Sequence, residues 1–297
     1  MSTTKTQSRE RQNTAFRWLF KITGFLVISI LSGIFFMLIY NTFAFFAHTS
    51  PLDFVTGMQW NPSSDLYGIL PLLVSTLIVT LGSMLIAIPL GIGTATFLSE
   101  YCPPKLKAFL KPAIEMLAAV PSVAIGFLGI VLAGPEIAEL TNQPNGLNAI
   151  NGSLLLAIMA LPTIITVSED AINAVPKTYR EASLGIGADK WQTVRKIVIP
   201  AAAPGIIAAV MLGVGRAIGE TMTVLMATGN AGAFPTSFLD SVRTITATIA
   251  IEMGEVPYNT THYFALFAIA AVLFIMTLVV NVLGERFVQK FRKYQAV

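Results

Sequence analysis

The sequence predicts an all-α integral membrane protein with six membrane-spanning helices, and three observations carry that prediction. Hydrophobic residues make up 54% of the 297-residue chain and charged residues only 12%, about half of the roughly 25% found in soluble domains. Mean hydropathy is +0.71, which is more apolar surface than a soluble fold of this length can bury. Apolar runs recur along the chain, most of them at the length of about 20 helical residues that a bilayer requires. The connections between those runs alternate between basic and acidic.

Residues 1–21 form a polar tail with Lys5, Arg9, Arg11, Arg17 and Lys21. Residues 22–46 are an apolar run too long for a signal-peptide core and without a clear small-x-small cleavage site, so a retained first span is expected. Residues 48–68 form a polar connection holding Asp53 and Asp65 but no lysine or arginine. The second span is expected over 69–98; it contains Pro71, Pro89, Gly91 and Gly93, breakers that membrane helices tolerate when neighbours satisfy the freed backbone groups. Lys105, Lys107 and Lys111 mark the connection 101–112. A third span is expected over 113–133, followed by a polar loop to 152 with Glu136 and Glu139. Residues 153–168, with Pro162 inside, are short for a span. A charged island follows from Pro176 to Pro200. A fifth span is expected over 204–228, a longer polar connection over 230–261, and a last span over 263–283 before the basic tail 285–297.

Six spans place both termini on one side, and the basic residues say which. The N-terminal tail carries five, the 101–112 connection three, the 170–203 loop five and the C-terminal tail four, whereas the alternate connections carry only Arg243. Such a split puts both termini and the 170–203 loop in the cytoplasm. No internal repeat or low-complexity linker is evident. The expected organisation is a cytoplasmic tail (1–21), a first helix with its outer loop (22–68), a permease core (69–284) and a cytoplasmic tail (285–297).

Several chemistries are excluded. No G-x-x-x-x-G-K-[ST] stretch occurs, so the chain has no P-loop for ATP phosphates. One cysteine (Cys102) and two scattered histidines (His48, His262) offer neither an internal disulfide nor a metal cluster. No catalytic residue, metal site or bound cofactor is expected. If ATP drives the protein, another chain hydrolyses it.

Within the charged island, Pro176 can open a short helix over 178–184 that Gly185 and Gly187 end. Asp189 with Gln192 has the form of a capping box, so a second short helix should start at Lys190 and stop near Pro200. Glu181-Ala182-Ser183, Gly187 and Ile197-x-Ile199-Pro200 then resemble the EAA loop of ABC-importer permeases, with Ser183 in place of the second alanine and Ile199 in place of a leucine. That resemblance implies a type I importer (MetI-like) permease fold whose cytoplasmic coupling helices dock on an ATPase subunit. It makes Glu181, Ala182, Gly187, Ile197 and Pro200 coupling-loop residues. An ordinary amphipathic loop is the alternative.

The fifth span contains Arg216 and Glu220. Ionisable groups inside a membrane usually face a bundle interior or a water-filled path, and the i, i+4 spacing puts these two on one helical face. One reading is a structural ion pair. The other is a charged element on a substrate path, where the planar guanidinium suits an oxyanion, the glutamate keeps the grip loose, and Thr221 and Thr223 add hydroxyls. The run from Arg216 through Ala217-Ile218-Gly219-Glu220-Thr221-Met222, with Ala227-Thr228-Gly229-Asn230, is similar to phosphate-specific ABC importer permeases of the PstC type. So is the run from Arg243 to Ala250 with Glu252, Gly254 and Glu255. The resemblance implies an importer of inorganic phosphate in the bacterial inner membrane. Its expected partners are a sister permease (PstA-like), two ATPase subunits (PstB-like) that hold ATP with Mg, an extracytoplasmic phosphate-binding protein (PstS-like) and a phosphate-sensing signalling complex; nucleic acid is not among them. It makes Arg216 and Glu220 the transport-critical pair, and Thr221 beside them and Arg243 in the outer connection are the further candidates for the substrate path.

Arg243 reads equally as a loop salt bridge, Glu115 as interfacial, and Glu169-Asp170 as a solvated pair at the cytoplasmic border. Alternatives of cargo (sulfate, molybdate or another oxyanion) and of class (a secondary transporter or channel, or a sensing scaffold) stay open at this point. Seven acidic residues in the outer connections make an odd entrance for an anion, so delivery by a binding protein is expected.

Overall fold

A computed structural model describes the backbone of residues 3–295 and the side chains of residues 16–290. The side chains of Lys5, Arg9, Arg11, Arg292 and Lys293 lie outside the described residues. Helix α1 (Thr3–Phe46) runs without interruption through the polar stretch and the first apolar run. Its outward residues from Phe16 to Phe36 are exposed and apolar, as a surface covered by lipid requires. Beyond it, α2 (Pro51–Thr56) and a two-residue hairpin, β1 (Trp60–Asn61) with β2 (Leu66–Tyr67), build a small cap. Phe45, Phe54, Trp60 and Tyr67 bury themselves there against Leu266 and Ile269.

Helix α3 (Leu70–Thr96) keeps its helical path through Pro89 and ends in a π-turn at Phe97–Tyr101. The expected third span is displaced. Its first half is instead α4 (Pro104–Ala118), which buries no residue, and the crossing itself is Ser122–Thr141. It is assembled from α5 (Ser122–Leu128), a π-turn and α6 (Gly134–Thr141). Pro121 explains the break, because a proline pushes the residue before it out of the α region.

Helix α7 (Ala149–Asn173) is the centre of the bundle, packed on α3 and α10. Its N-terminus is capped by Asn148, whose Oδ1 accepts the Asn151 amide at 3.0 Å. It is longer than the expected 153–168 at both ends, with Ala149 and Asn151 before that segment and Glu169 and Ile172 after it buried as helix residues. Ile164, Leu156, Ala157 and Ala160 on α7 meet Val79 and Ala87 of α3 in the main core. Then come α8 (Lys177–Gly185) and α9 (Lys190–Thr193). The second short helix does not stop at Pro200: it passes through a π-turn at Val194–Val198 straight into α10 (Ile199–Ile218). A proline in the first turn of a helix gives up a donor that has no partner there anyway.

The expected fifth span is also divided. After α10 the chain breaks at Gly219 and resumes as α11 (Met222–Ala227). The following connection is not simply polar, for it contains α12 (Ile245–Glu252), with Ile245, Thr246, Ala247 and Thr248 buried. Helix α13 (Thr261–Gln295) closes the chain against α1 and α10. Among the described residues, six helical segments are long and apolar enough to cross a membrane.

Candidate functional site: a charged loop at one end and a broken helix inside

The site has two parts. At the basic end, α8 and α9 form a compact helix–turn–helix. Gly187 turns the chain between them at φ +87°, a left-handed conformation that costs a side-chain-bearing residue about 1–2 kcal/mol. The capping box is complete: Asp189 Oδ1 accepts the Gln192 amide at 2.7 Å, and Gln192 Oε1 accepts the Asp189 amide at 3.3 Å. Ser183, where the motif has alanine, is buried and shares a hydrogen bond with Thr193 Oγ1 at 2.9 Å. The departure from the motif is therefore the seam that joins α8 to α9. Glu181, Ala182 and Gly187 are exposed, as are Tyr179, Leu184, Ile186 and Trp191. Ile197 and Pro200 also reach the surface. Tyr179, Leu184, Ile186 and Trp191 thus give this helix–turn–helix an exposed apolar face.

Arg180 and Glu100, which sequence reasoning did not single out, hold this loop to the bundle. The Arg180 guanidinium donates to Glu100 Oε1 at 3.0 Å (Nε) and 2.6 Å (Nη2), to Val175 O at 2.6 Å and to Ile172 O at 3.0 Å. Glu169, expected to be solvated, is instead 1% exposed; it is held by Lys107 at 2.6 Å and Lys111 at 2.8 Å, both from α4. The hydrogen bond to Glu169, partly opposed by desolvation, raises the Lys111 ammonium above its ordinary pKa. One signal was legible: Lys107 and Lys111 are like charges one helical turn apart, an arrangement that favours a counter-ion.

Inside the bundle, the break at Gly219 rewrites the expected pair. Glu220 lies beyond the end of α10 and no longer shares a face with Arg216. Its Oε1 instead accepts from the Thr223 amide and Thr223 Oγ1, both at 3.3 Å, at the start of α11. Its carbonyl accepts Thr246 Oγ1 of α12 at 2.7 Å, so α12 braces the break. Arg216 is exposed and reaches only Thr163 Oγ1 of α7, at 3.4 Å; among the described residues it forms no ion pair. Thr221 is half-buried at the break. At the mouth of the helix break the Arg216 guanidinium therefore has no carboxylate partner among the described residues.

At the acidic end Arg243 is committed elsewhere. Its Nη1 pairs with Glu252 Oε1 at 2.9 Å and its Nε donates to Asn230 O at 2.8 Å. Glu252 also accepts Trp60 Nε1 at 3.0–3.1 Å and lies 2.8 Å from His262 Nε2. This carboxylate ties together the hairpin cap, α12 and α13. Glu115 is exposed on α4. Among the described residues no three His, Cys, Asp or Glu side chains gather as metal ligands.

Residues 87–293 match the family of binding-protein-dependent transport system inner membrane components. The chain is 40% identical over 230 residues to the probable ABC transporter permease protein YqgH of Bacillus subtilis, covering 77% of this chain and 74% of the relative. It is 34% identical over 280 residues to the phosphate transport system permease protein PstC of Mesorhizobium japonicum, covering 88% and 85%. Among solved structures, a bacterial importer of the acidic polysaccharide alginate superposes with a TM-score of 0.64 at 14% identity, covering 95% of this chain and 99% of the other. The MetNI methionine transporter in an inward-facing conformation superposes at 0.61 with 20% identity, covering 78% and 99%. These two show a shared fold.

Proposed function

The chain belongs to the family of binding-protein-dependent transport system inner membrane components, and from that premise we propose that it is the permease subunit through which an ATP-driven importer moves inorganic phosphate. Arg216 is the observation that carries the cargo: a guanidinium with no carboxylate partner among the described residues, at a break in a spanning helix, in a chain with relatives over most of its length that are named for phosphate transport. Phosphate is an oxyanion, and a planar guanidinium can give it two parallel hydrogen bonds. Thr221, beside the break, supplies a hydroxyl. Glu220 shapes the site by capping α11 and limits how tightly an anion is held. Arg243 can reach an anion only when its pair with Glu252 opens, so its place on the path is at the outer closure.

The basic end faces the cytoplasm, on the strength of the seventeen-to-one distribution of lysine and arginine among the connections. There the exposed faces of α8 and α9 dock on one of two separate ATPase subunits, which hold ATP and Mg. The second permease is a sister subunit, and an extracytoplasmic binding protein delivers phosphate to the acidic end. Closing of the ATPases pushes the coupling helices, and the bundle swings between outward and inward access. Glu181 offers its carboxylate at the docking surface, while small Ala182 and Gly187 allow close approach.

The test is phosphate uptake by Arg216→Gln and Glu181→Lys, each checked for normal membrane insertion. Both are expected to lose uptake. Normal uptake in Arg216→Gln with loss in Glu181→Lys would keep the coupling assignment and remove Arg216 from the path.

A further inference from the structure

A subunit docked on α8 can move the bundle only if α8 is rigidly attached to it. Covalently, α8 joins α7 through a turn of three residues, Ala174 to Pro176. Arg180 stiffens that turn. It grips the final carbonyls of α7 and the turn (Ile172 O, Val175 O) and, with the rest of its fork, Glu100 in the π-turn that ends α3. A lysine ammonium at that place is a single point charge on a flexible stem and cannot hold three groups in one plane.

From Glu100 the bonding continues. The adjacent Ser99 donates its Oγ to Asn173 Oδ1 at 2.7 Å, and Asn173 Nδ2 donates to Glu169 Oε1 at 2.9 Å. Glu169 then takes Lys107 and Lys111 of α4. A buried ion pair is weak evidence for stability, because well-packed apolar side chains in its place are often as stable; its attested use is to fix one arrangement of its elements. Here the arrangement fixed is that of four elements, the end of α3, α4, α7 and α8, at the end of the molecule where the exposed coupling face lies.

We propose that the chain of side chains from Arg180 through Glu100, Ser99, Asn173 and Glu169 to Lys107 and Lys111 is the rigid linkage that carries motion of the coupling helix into the bundle. Arg180 and Glu169 are its two positioning residues. The inference rests on the importer reading above. Neither residue touches the substrate; each acts by keeping the elements in register. A broken linkage lets α8 follow its ATPase while the bundle lags.

The test uses the complete transporter, purified with its partner subunits and reconstituted, with phosphate moved per ATP hydrolysed as the readout. Arg180→Lys and Glu169→Gln should retain the ATPase subunits and continue to hydrolyse ATP, while phosphate per ATP falls roughly two- to thirtyfold. The double variant should fall no further than the worse single one, since both cut one linkage. Lys105→Gln removes an exposed charge from α4 outside the linkage and should keep the wild-type ratio. Asn173→Ala breaks the middle of the chain without touching a charge and should reproduce the loss if either charged variant fails to assemble. Wild-type ratios in the assembled Arg180, Glu169 and Asn173 variants would overturn the proposal, and so would losses that multiply in the double variant. A wild-type complex that moves no phosphate would instead overturn the importer reading.

Discussion

Replacing Glu252 with glutamine removes one charge and leaves the shape; it breaks the ion pair with Arg243 and also disturbs the contacts that Trp60 and His262 make with the same carboxylate. Glu252 Oε1 sits 2.9 Å from Arg243 Nη1, with the two side chains 13% and 22% exposed. At that distance and an effective dielectric near 20, the gross attraction is about 6 kcal/mol. Desolvation and residual solvent contact offset most of it, and a charged hydrogen bond of this kind contributes about 2 kcal/mol net. In a chain of 297 residues that corresponds to a fall of about 3 °C in Tm. Thermal unfolding in detergent measures it. Arg243→Gln also removes the bond to Asn230 O, so the shared pair is read from the cycle: the double variant should cost less than the sum of the two single losses by about the worth of the pair. The reasoning is refuted if Glu252→Gln leaves Tm unchanged, or if the two losses add.

Three further outcomes are expected. Gly187→Ala strains the turn between α8 and α9 by about 1–2 kcal/mol, which should weaken retention of the ATPase subunit roughly five- to thirtyfold, while Gly187→Asn, which tolerates that backbone, should lose less. A methyl added at Gly152 would lie 2.5 Å from Thr228 Cγ2, so Gly152→Ala should lower Tm by an amount set by about 1–3 kcal/mol of overpacking; adding Thr228→Ser, which deletes that methyl, should recover most of it. Lys111 is raised above its ordinary value of 10.5, so its contribution is full below that pH and is lost only as pH climbs through the higher folded value. Amine acylation below pH 10 should therefore modify Lys111 more slowly than exposed Lys105 on the same helix, and Glu169→Gln should narrow the difference, leaving the share due to Asp170 at 3.4 Å.

What was legible in the sequence was mostly local. The capping box at Asp189 and the turn at Gly187 need only neighbouring residues, and both formed as read. Apolar length located most of the crossings. Proline misled in both directions: Pro89 and Pro162 were rightly allowed inside helices, Pro121 broke a span assumed continuous, and Pro200 failed to end a helix. The two errors of consequence were long-range. Arg216 and Glu220 were paired by assuming that 3.6-residue periodicity continued through Gly219, where the helix stops and Thr246 of α12 secures the break. Glu169 was read as solvated because its counter-ions, Lys107 and Lys111, lie about sixty residues earlier on a helix that had been assigned to a connection and a span. Local pattern does not show which distant helix folds back.

The most direct measurement is uptake of radiolabelled phosphate by cells lacking other phosphate importers and expressing this chain with its permease, ATPase and binding-protein partners. The expected result is uptake that requires all partners, stops when ATP is depleted, and is not displaced by excess sulfate or molybdate. Sulfate or molybdate uptake in place of phosphate would contradict the cargo, and phosphate uptake by this chain without any ATPase would contradict the importer mechanism itself.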